Sequence, residues 1–551
     1  MKTPYIETKR DKDWYNWHRT RKVGGEVDKI LTPFNRYTDN SKPPVGKEFL
    51  PGLQGLQMII SNAEQEEARV RAHGSRWSLN NVAYTTDHLV DSRQLGFYKV
   101  GITEDVFVTD AYKEKMENLS FFQCGVMVRA VNQALQAKKQ ALSTSGASDG
   151  QTLVGAISTG THGAANQVGA MTEFVRGIHL VISGKHVFVQ RASDQAITHQ
   201  FCDWLDHAEY VADDNLFNAA LVGFGCFGLI HGLLIESEAI YMLELVIKRY
   251  DASDVMKAIT TLNVDGLDLP GGNVLPYHFE VGLNPYKMKK GEEGASVRVY
   301  YKRSYDDTVS GLESAQEEYH DIHTAMGMTF DEDAARKLEE APEESELEGV
   351  VLSRKDRIGA LIQIALKKSY KLTDPDKPDI RIPGQFFTGK NSAKLTSEAP
   401  VAGTSIELGV PIDNIEDGLD YIIKALNDNP FAAPLALRFV KQSTATLGFT
   451  GLGKITVALE LPGPWGKWPI FPQTGKKHQK FFRAMAESDI PHSFHWGQQL
   501  PKNINWISKT YGAKLKMWKE QRIKFLGDAG IKMFSNEFVD SFLGDSGIPS
   551  A

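Results

Sequence analysis

Residues 145–163 read Ser-Gly-Ala-Ser-Asp-Gly-Gln-Thr-Leu-Val-Gly-Ala-Ile-Ser-Thr-Gly-Thr-His-Gly. Side chains this small let a backbone turn tightly and close its N–H groups on a ligand, which an ordinary helix or strand never requires. The segment follows directly on Met127–Lys139, where Met127, Val128, Val131, Ala134 and Leu135 set one apolar helical stripe against a core. Earlier, the helix-like run Gln57–Glu67 leads into a short strand, Ala68–Ala72, and the turn His73-Gly-Ser-Arg76. Helix, strand and glycine turn in that order make plausible phosphate-loop geometry. Further on, Gly177–Val189 predicts a hairpin, two β-rich runs joined at Ser183-Gly184. From about Ala239 the alternation lengthens, as in Ser296–Tyr301, and predicts an antiparallel sheet in a second domain. Helices and strands are mixed throughout, so the fold class expected is α+β.

A chain of 551 residues is too long for one ordinary core, and at least two domains are expected. The formal charge of -7 offers no basic face for phosphate backbones, so nucleic acid is a poor partner. Met1–Trp14 is charged and has no apolar stretch of the secretory kind. The longest apolar run, Leu221–Ile235, is broken by His231, is rich in glycine and is too short to span a bilayer, so it predicts buried core. Cys124, Cys202 and Cys226 form no CxxC pair, which points to a reducing, cytoplasmic setting without structural disulfides. The acidic run between Leu312 and Gly349 predicts a solvated helix and loop.

Several motifs point in misleading directions. Gly223-Phe-Gly-Cys-Phe-Gly228 fits GxGxxG, but Leu229–Ile235 after it is strand-like, where a dinucleotide site needs a helix. His320 and His323 lack a third ligand, and His492 and His495 sit among Phe494 and Trp496, so no metal is expected. No GxSxG elbow supports a hydrolase.

Three segments together resemble the vanillyl-alcohol-oxidase (PCMH-type) superfamily of FAD enzymes, nearest its aldonolactone and alditol oxidase branch. They are Arg69–Asn80, similar to the loop around the FAD pyrophosphate; Gln151–Gly163, similar to the glycine-rich flavin segment; and Pro491–Gly497, with its His-Trp-Gly stretch. Asn16-Trp17, Leu221–Ile230 and the tail with Tyr511, Trp518, Arg522, Phe534 and Asn536 follow in the family's order. The match runs to about Ile240 and resumes near Pro434. It implies a two-domain PCMH-type FAD-binding fold with an inserted substrate (cap) domain containing the antiparallel sheet: 1–240 and the returning 498–551 for FAD, and 241–497 for the cap. It also implies FAD contacts from His73, Gly74, Ser75, Arg76, Trp77 and Ser78, and from Thr152, Gly155, Ala156, Ser158, Thr159, Gly160, His162 and Gly163. Gly228, Ile230 and Asn536 complete that set.

Many relatives of this branch bond FAD through a histidine where this chain has Trp77, and no cysteine lies between Ser143 and Thr152 to replace it. With His73 as the only nearby imidazole, four positions earlier, non-covalent FAD is expected. The relatives' Glu-x-Arg becomes Ala436-Leu-Arg438, and their His-Trp-Gly-Lys becomes His495-Trp-Gly-Gln498. The expected catalytic set is therefore Arg438 for charge, His495 and Gln498 at the flavin edge, and Glu460, two residues beyond Ala458 on one strand face, as substitute base. The activity implied is hydride removal from a CH–OH group of a small molecule that is not hydroxyl-rich, with oxygen or another electron acceptor. A flavin-dependent cyclase or biosynthetic oxidase, and a catalytically silent FAD-binding protein, stay open as alternatives.

Overall fold

The computed structural model describes residues 2–18, 20, 23–309, 344–347, 350–386, 405–463, 474–501 and 505–542. His320, His323 and the acidic run lie outside them, apart from the strand Glu344–Leu347, which pairs with Val350–Ser353.

The chain opens with a four-stranded sheet in the order Pro4–Tyr15, Gly24–Tyr37, His88–Asp91, Val70–His73; the first pair is antiparallel and the others parallel. Its companion helix, Leu50–Gln65, starts seven residues before the sequence expectation because Pro51 sets its first turn, and Leu53, Leu56, Ile59, Ile60 and Ala63 form its buried face. The strand expected at Ala68–Ala72 is Val70–His73. The helix expected at Met127–Lys139 is Val128–Gln136, with Met127 at its N-cap.

A six-stranded sheet follows, ordered Glu209–Ala212, Lys185–Gln190, Val175–Ile182, Leu229–Glu236, Leu119–Gln123, Tyr98–Lys99. The expected hairpin turns where Gly184 takes φ +71. Gly223–Gly228 leads into the strand Leu229–Glu236, so the backbone after this GxGxxG is extended, against a nicotinamide-type βαβ site. Among the described residues no helix is long and apolar enough to cross a membrane.

Inside this sheet three imidazoles form a chain. The Phe97 N–H and the Asn35 amide donate to Gln123 Oε1, at 3.0 and 2.7 Å, which fixes the Gln123 amide nitrogen against His231 Nε2 at 2.9 Å. His231 Nδ1 then donates to His179 Nδ1, and His179 Nε2 donates to His186 Nδ1, each at 2.9 Å. One backbone N–H thereby sets three tautomers, and an added proton has no acceptor along the chain. Burial pushes His231 down to about 3 and lowers His179 and His186 as well.

The third sheet has eight strands, every pair antiparallel: Asp379–Arg381, Tyr241–Tyr250, Ala295–Ser304, His278–Leu283, Leu435–Lys441, Ile455–Pro462, Ser405–Pro411, Ser493–Phe494. It is the alternating region expected after Ala239. Helix Arg354–Ser369 packs Ile358, Ile362 and Leu366 with Leu243, Leu245 and Ile247 of the sheet. The C-terminal segment Asn505–Met533 returns to the first half of the chain, where Trp518 donates to the Ala219 carbonyl and Arg522 to that of Cys226.

Unfolded imidazoles take up protons near pH 6.5, whereas the folded chain keeps His231, His179 and His186 neutral to lower pH. Their contribution to stability is complete above about pH 6.5 and is lost as the pH falls toward the folded values. Thermal unfolding should therefore show a lower midpoint at pH 5.5 than at pH 7.5, in a range where carboxylates scarcely titrate; an equal or higher midpoint contradicts the locked chain.

Candidate functional site

One cleft lies between the loops of the first half and the eight-stranded sheet, whose inner strands contribute Ser405, Glu407, Arg438 and Glu460. Of the residues expected to touch a cofactor, His73 to Ser78, Thr152, Gly155, Ala156, Ser158, Thr159, His162, Gly228 and Ile230 line it. Arg438, Glu460, His495 and Gln498 line it too. Gly160, Gly163 and Asn536 do not. Gly160 (φ +78) and Gly163, packed on the Ser145 carbonyl, shape the segment, and the Asn536 amide donates to the carbonyls of Asn81, Val82 and Tyr84. Asn536 therefore braces the loop behind the cleft wall.

The 73–80 loop is held from several sides. The buried Arg71 guanidinium donates to the carbonyls of Val82, Gly225 and Phe534. Asn80 donates to the carbonyls of Trp496 and Gln498, each at 2.7 Å, and the Leu79 N–H reaches Gly497 O at 2.8 Å. A side chain at Gly74 would place its Cβ 2.2 Å from Thr152 Oγ1, so only glycine lets the loop lie on the glycine-rich segment. Around this cradle Ser75 Oγ, Ser148 Oγ and Gln151 Oε1 are buried without a hydrogen-bond partner, as is Gln498 Oε1. Orphaned polar atoms lining a cleft of this shape fit a polar, phosphate-bearing cofactor.

Trp77 stacks on Trp17 with ring centroids 4.8 Å apart, and His18 meets Trp77 edge-on at 5.2 Å. His73 is thus not the only imidazole near Trp77, because the first hairpin delivers His18 to the same wall. His73 donates from Nδ1 to the Gly74 carbonyl, and burial pushes it down to about 4.

The other part of the cleft is a buried cluster of charge. Arg438 offers Nε to Glu280 at 3.6 Å, Nη1 to Glu407 at 3.4 Å and Nη2 to Glu460 at 2.9 Å. Burial opposes the Arg438 charge, but these carboxylates hold it well above its ordinary value. Glu280 also meets Arg298 at 3.1 Å and the Tyr370 hydroxyl, while Glu460 accepts from Ser405 Oγ at 3.0 Å. The carboxylate missing at Ala436 is therefore supplied across strands: Glu460 faces Ala436 in the register, Glu407 faces Glu460, and Glu280 faces Arg438. Reading along one strand missed Glu280 and Glu407. Their signal was a lone charge inside apolar strands, His278-Phe-Glu-Val-Gly-Leu283 and Ser405-Ile-Glu-Leu-Gly-Val410, since glutamate is rarely buried unless paired.

Hydrogen-bond geometry fixes the protons here. His162 Nδ1 donates to the Gly163 carbonyl at 2.9 Å, so its Nε2, 3.1 Å from Glu407 Oε1, meets an oxygen with no proton of its own unless the pair shares one more. Burial raises the Glu407 carboxyl, but the charge and hydrogen bond of His162, then His495 and Arg438, outweigh this and hold it down at about 2, so Glu407 is a carboxylate. His495 accepts the Gly497 N–H at Nδ1 over 3.0 Å, and burial pushes it to about 4; it is neutral, with its proton on Nε2. His162, Glu407 and His495 bring their ligating atoms within 4.8 Å of one another, a grouping that could hold a metal ion. The sequence reading foresaw no such group. A metal there would have to displace the Nε2 proton of His495, whose other nitrogen already accepts the Gly497 N–H.

No family model matches this chain, and no curated protein does. Solved structures do: the crystal structure of cholesterol oxidase from Brevibacterium sterolicum aligns with a TM-score of 0.63 at 12% identity, over 98% of this chain and 97% of that one. A histidine-to-alanine variant of cholesterol oxidase from the same organism gives 0.62 at 12% identity, over 98% of each chain. At this identity the likeness is one of fold, and it extends from end to end.

Replacing Arg438 with Met leaves three buried carboxylates without their shared partner. The expected loss is about 3–5 kcal/mol of unfolding free energy in chemical denaturation, and a loss below about 1 kcal/mol, the scale of a surface pair, contradicts the assignment of a buried cluster.

Proposed function

We propose that the protein is an FAD-dependent oxidoreductase of the vanillyl-alcohol-oxidase (PCMH) type, nearest the aldonolactone and alditol oxidase branch. Its activity is hydride removal from a CH–OH carbon of a small molecule that is not hydroxyl-rich, with oxygen or another acceptor taking the electrons. The observation that carries this reading is one cleft, in a chain with an oxidase fold, that joins a glycine-serine cradle with orphaned polar atoms to a buried, fully paired ionic cluster. When bound, FAD supplies the two-electron acceptor.

In this reading residues 1–240 and 498–551 hold the cofactor and 241–497 form the cap. Gly74, Ser75, Ser78 and Ser148 receive the pyrophosphate, and the Trp77–Trp17 pair packs against the flavin's aromatic edge. Gln498 Oε1, unpaired in the cleft, accepts a hydrogen bond from the ring system. His495 orients the substrate oxygen from its Nε2 proton, and Glu460, bonded to Arg438 and Ser405, takes the hydroxyl proton. Arg438 holds the carboxylates in place. Cys124, Cys202 and Cys226, buried and unpaired, agree with a reducing, cytoplasmic setting.

The purified protein should show flavin absorption, and acid precipitation should release the colour into the supernatant. Colour in the pellet means a covalent link, and His18, beside Trp77, is then the first residue to sequence. Gly74→Val, whose side chain collides with Thr152, should be isolated with its flavin lost. A colourless wild-type protein that takes up no added FAD overturns the reading.

A further inference from the structure

The buried cluster says something about what the cleft admits. Each nitrogen of Arg438 faces a different carboxylate, within 3.6 Å in every case. Glu280 is matched in addition by Arg298, and Glu407 Oε1 lies 3.1 Å from His162 Nε2. Among the described residues three carboxylates thus meet two guanidiniums, and neither guanidinium is left over. His495 is neutral and contributes only a hydrogen-bond donor. Among the described residues lining the cleft, the one remaining guanidinium is Arg76, which lies in the 73–78 loop and donates to the Tyr15 carbonyl; no lysine lines it.

We infer that this active end selects substrates by charge and takes an uncharged alcohol, refusing carboxylates and phosphates of the same size. The inference rests on the flavin reading above and concerns the substrate class of that same site. A hydroxy acid would have to bury its carboxylate beside Glu407 and Glu460 with no free cation among the described residues to receive it, and an unpaired buried anion is strongly disfavoured. Arg438, which looks in the sequence like a carboxylate receptor, is already taken. Its acceptors come from three other strands, so the refusal is built into the sheet register rather than into any local motif.

Releasing Arg438 should reverse the selectivity. Glu460→Gln removes the charge closest to the guanidinium while keeping nearly the same shape, and Glu407→Gln does so at Nη1. The experiment titrates the flavin-loaded protein with benzoate and with benzyl alcohol at neutral pH and follows the flavin spectrum. Wild type should ignore benzoate up to its solubility limit, while E460Q should bind it at least about tenfold more tightly than wild type. E407Q serves as the second test if E460Q does not fold. Adding Arg438→Met to either variant should abolish the gained binding. Benzoate binding by wild type as tight as by the variants, or no gain in any variant that retains its flavin, overturns the inference. A protein that binds no FAD at all fails earlier, at the flavin reading, so the two failures are distinct.

Discussion

Burying Arg438 among Glu280, Glu407 and Glu460 is the interaction on which the rest of the site depends. A single charge taken out of water is tolerated only when its partners arrive with it, and here the partners sit on three different strands of one antiparallel sheet. A slip of one residue in any of these pairings would turn a glutamate to the opposite face and strand the guanidinium. The cluster therefore fixes the register of the sheet centre, and it joins that sheet to the glycine-rich segment through the Glu407–His162 contact.

The opposite wall is built on different physics. Its loops carry small residues that contribute little packing of their own, so they are braced from behind by buried donors. Arg71 and Asn536 saturate carbonyls of the 81–84 turn and its neighbours, and Asn80 ties the 73–80 loop to Trp496 and Gln498. The C-terminal segment matters here because it delivers Asn536 and the Phe534 carbonyl to a loop more than 450 residues away. A backbone held this way can leave Ser75, Ser148 and Gln151 oriented toward a ligand without collapsing on itself.

Much of this was legible in the sequence where the signal is local. The 145–163 glycines, the Ser183-Gly184 hairpin and the strand after Gly228 are short-range patterns, and the structure shows each. The loop residues expected at the cleft mostly line it for the same reason: their chemistry and their position are neighbours in the chain. Asn536 departs from this because an amide can satisfy either a ligand or a carbonyl, and only the fold decides which is nearer. Glu280 and Glu407 were not legible for a like reason, since only strand pairing brings them to Arg438, and His18 was invisible because hairpin closure, not sequence distance, places it beside Trp77.

By itself the sequence determined the elements, the small-residue cradle and the residue types available for charge, because backbone preference and hydrophobic period act over a few residues. The tertiary structure alone decided which charges cancel, which histidine nitrogens carry protons and which polar atoms are left open to the cleft. Those depend on distances of about 3 Å, the length of a hydrogen bond, between residues hundreds of positions apart, and no local pattern encodes such a distance.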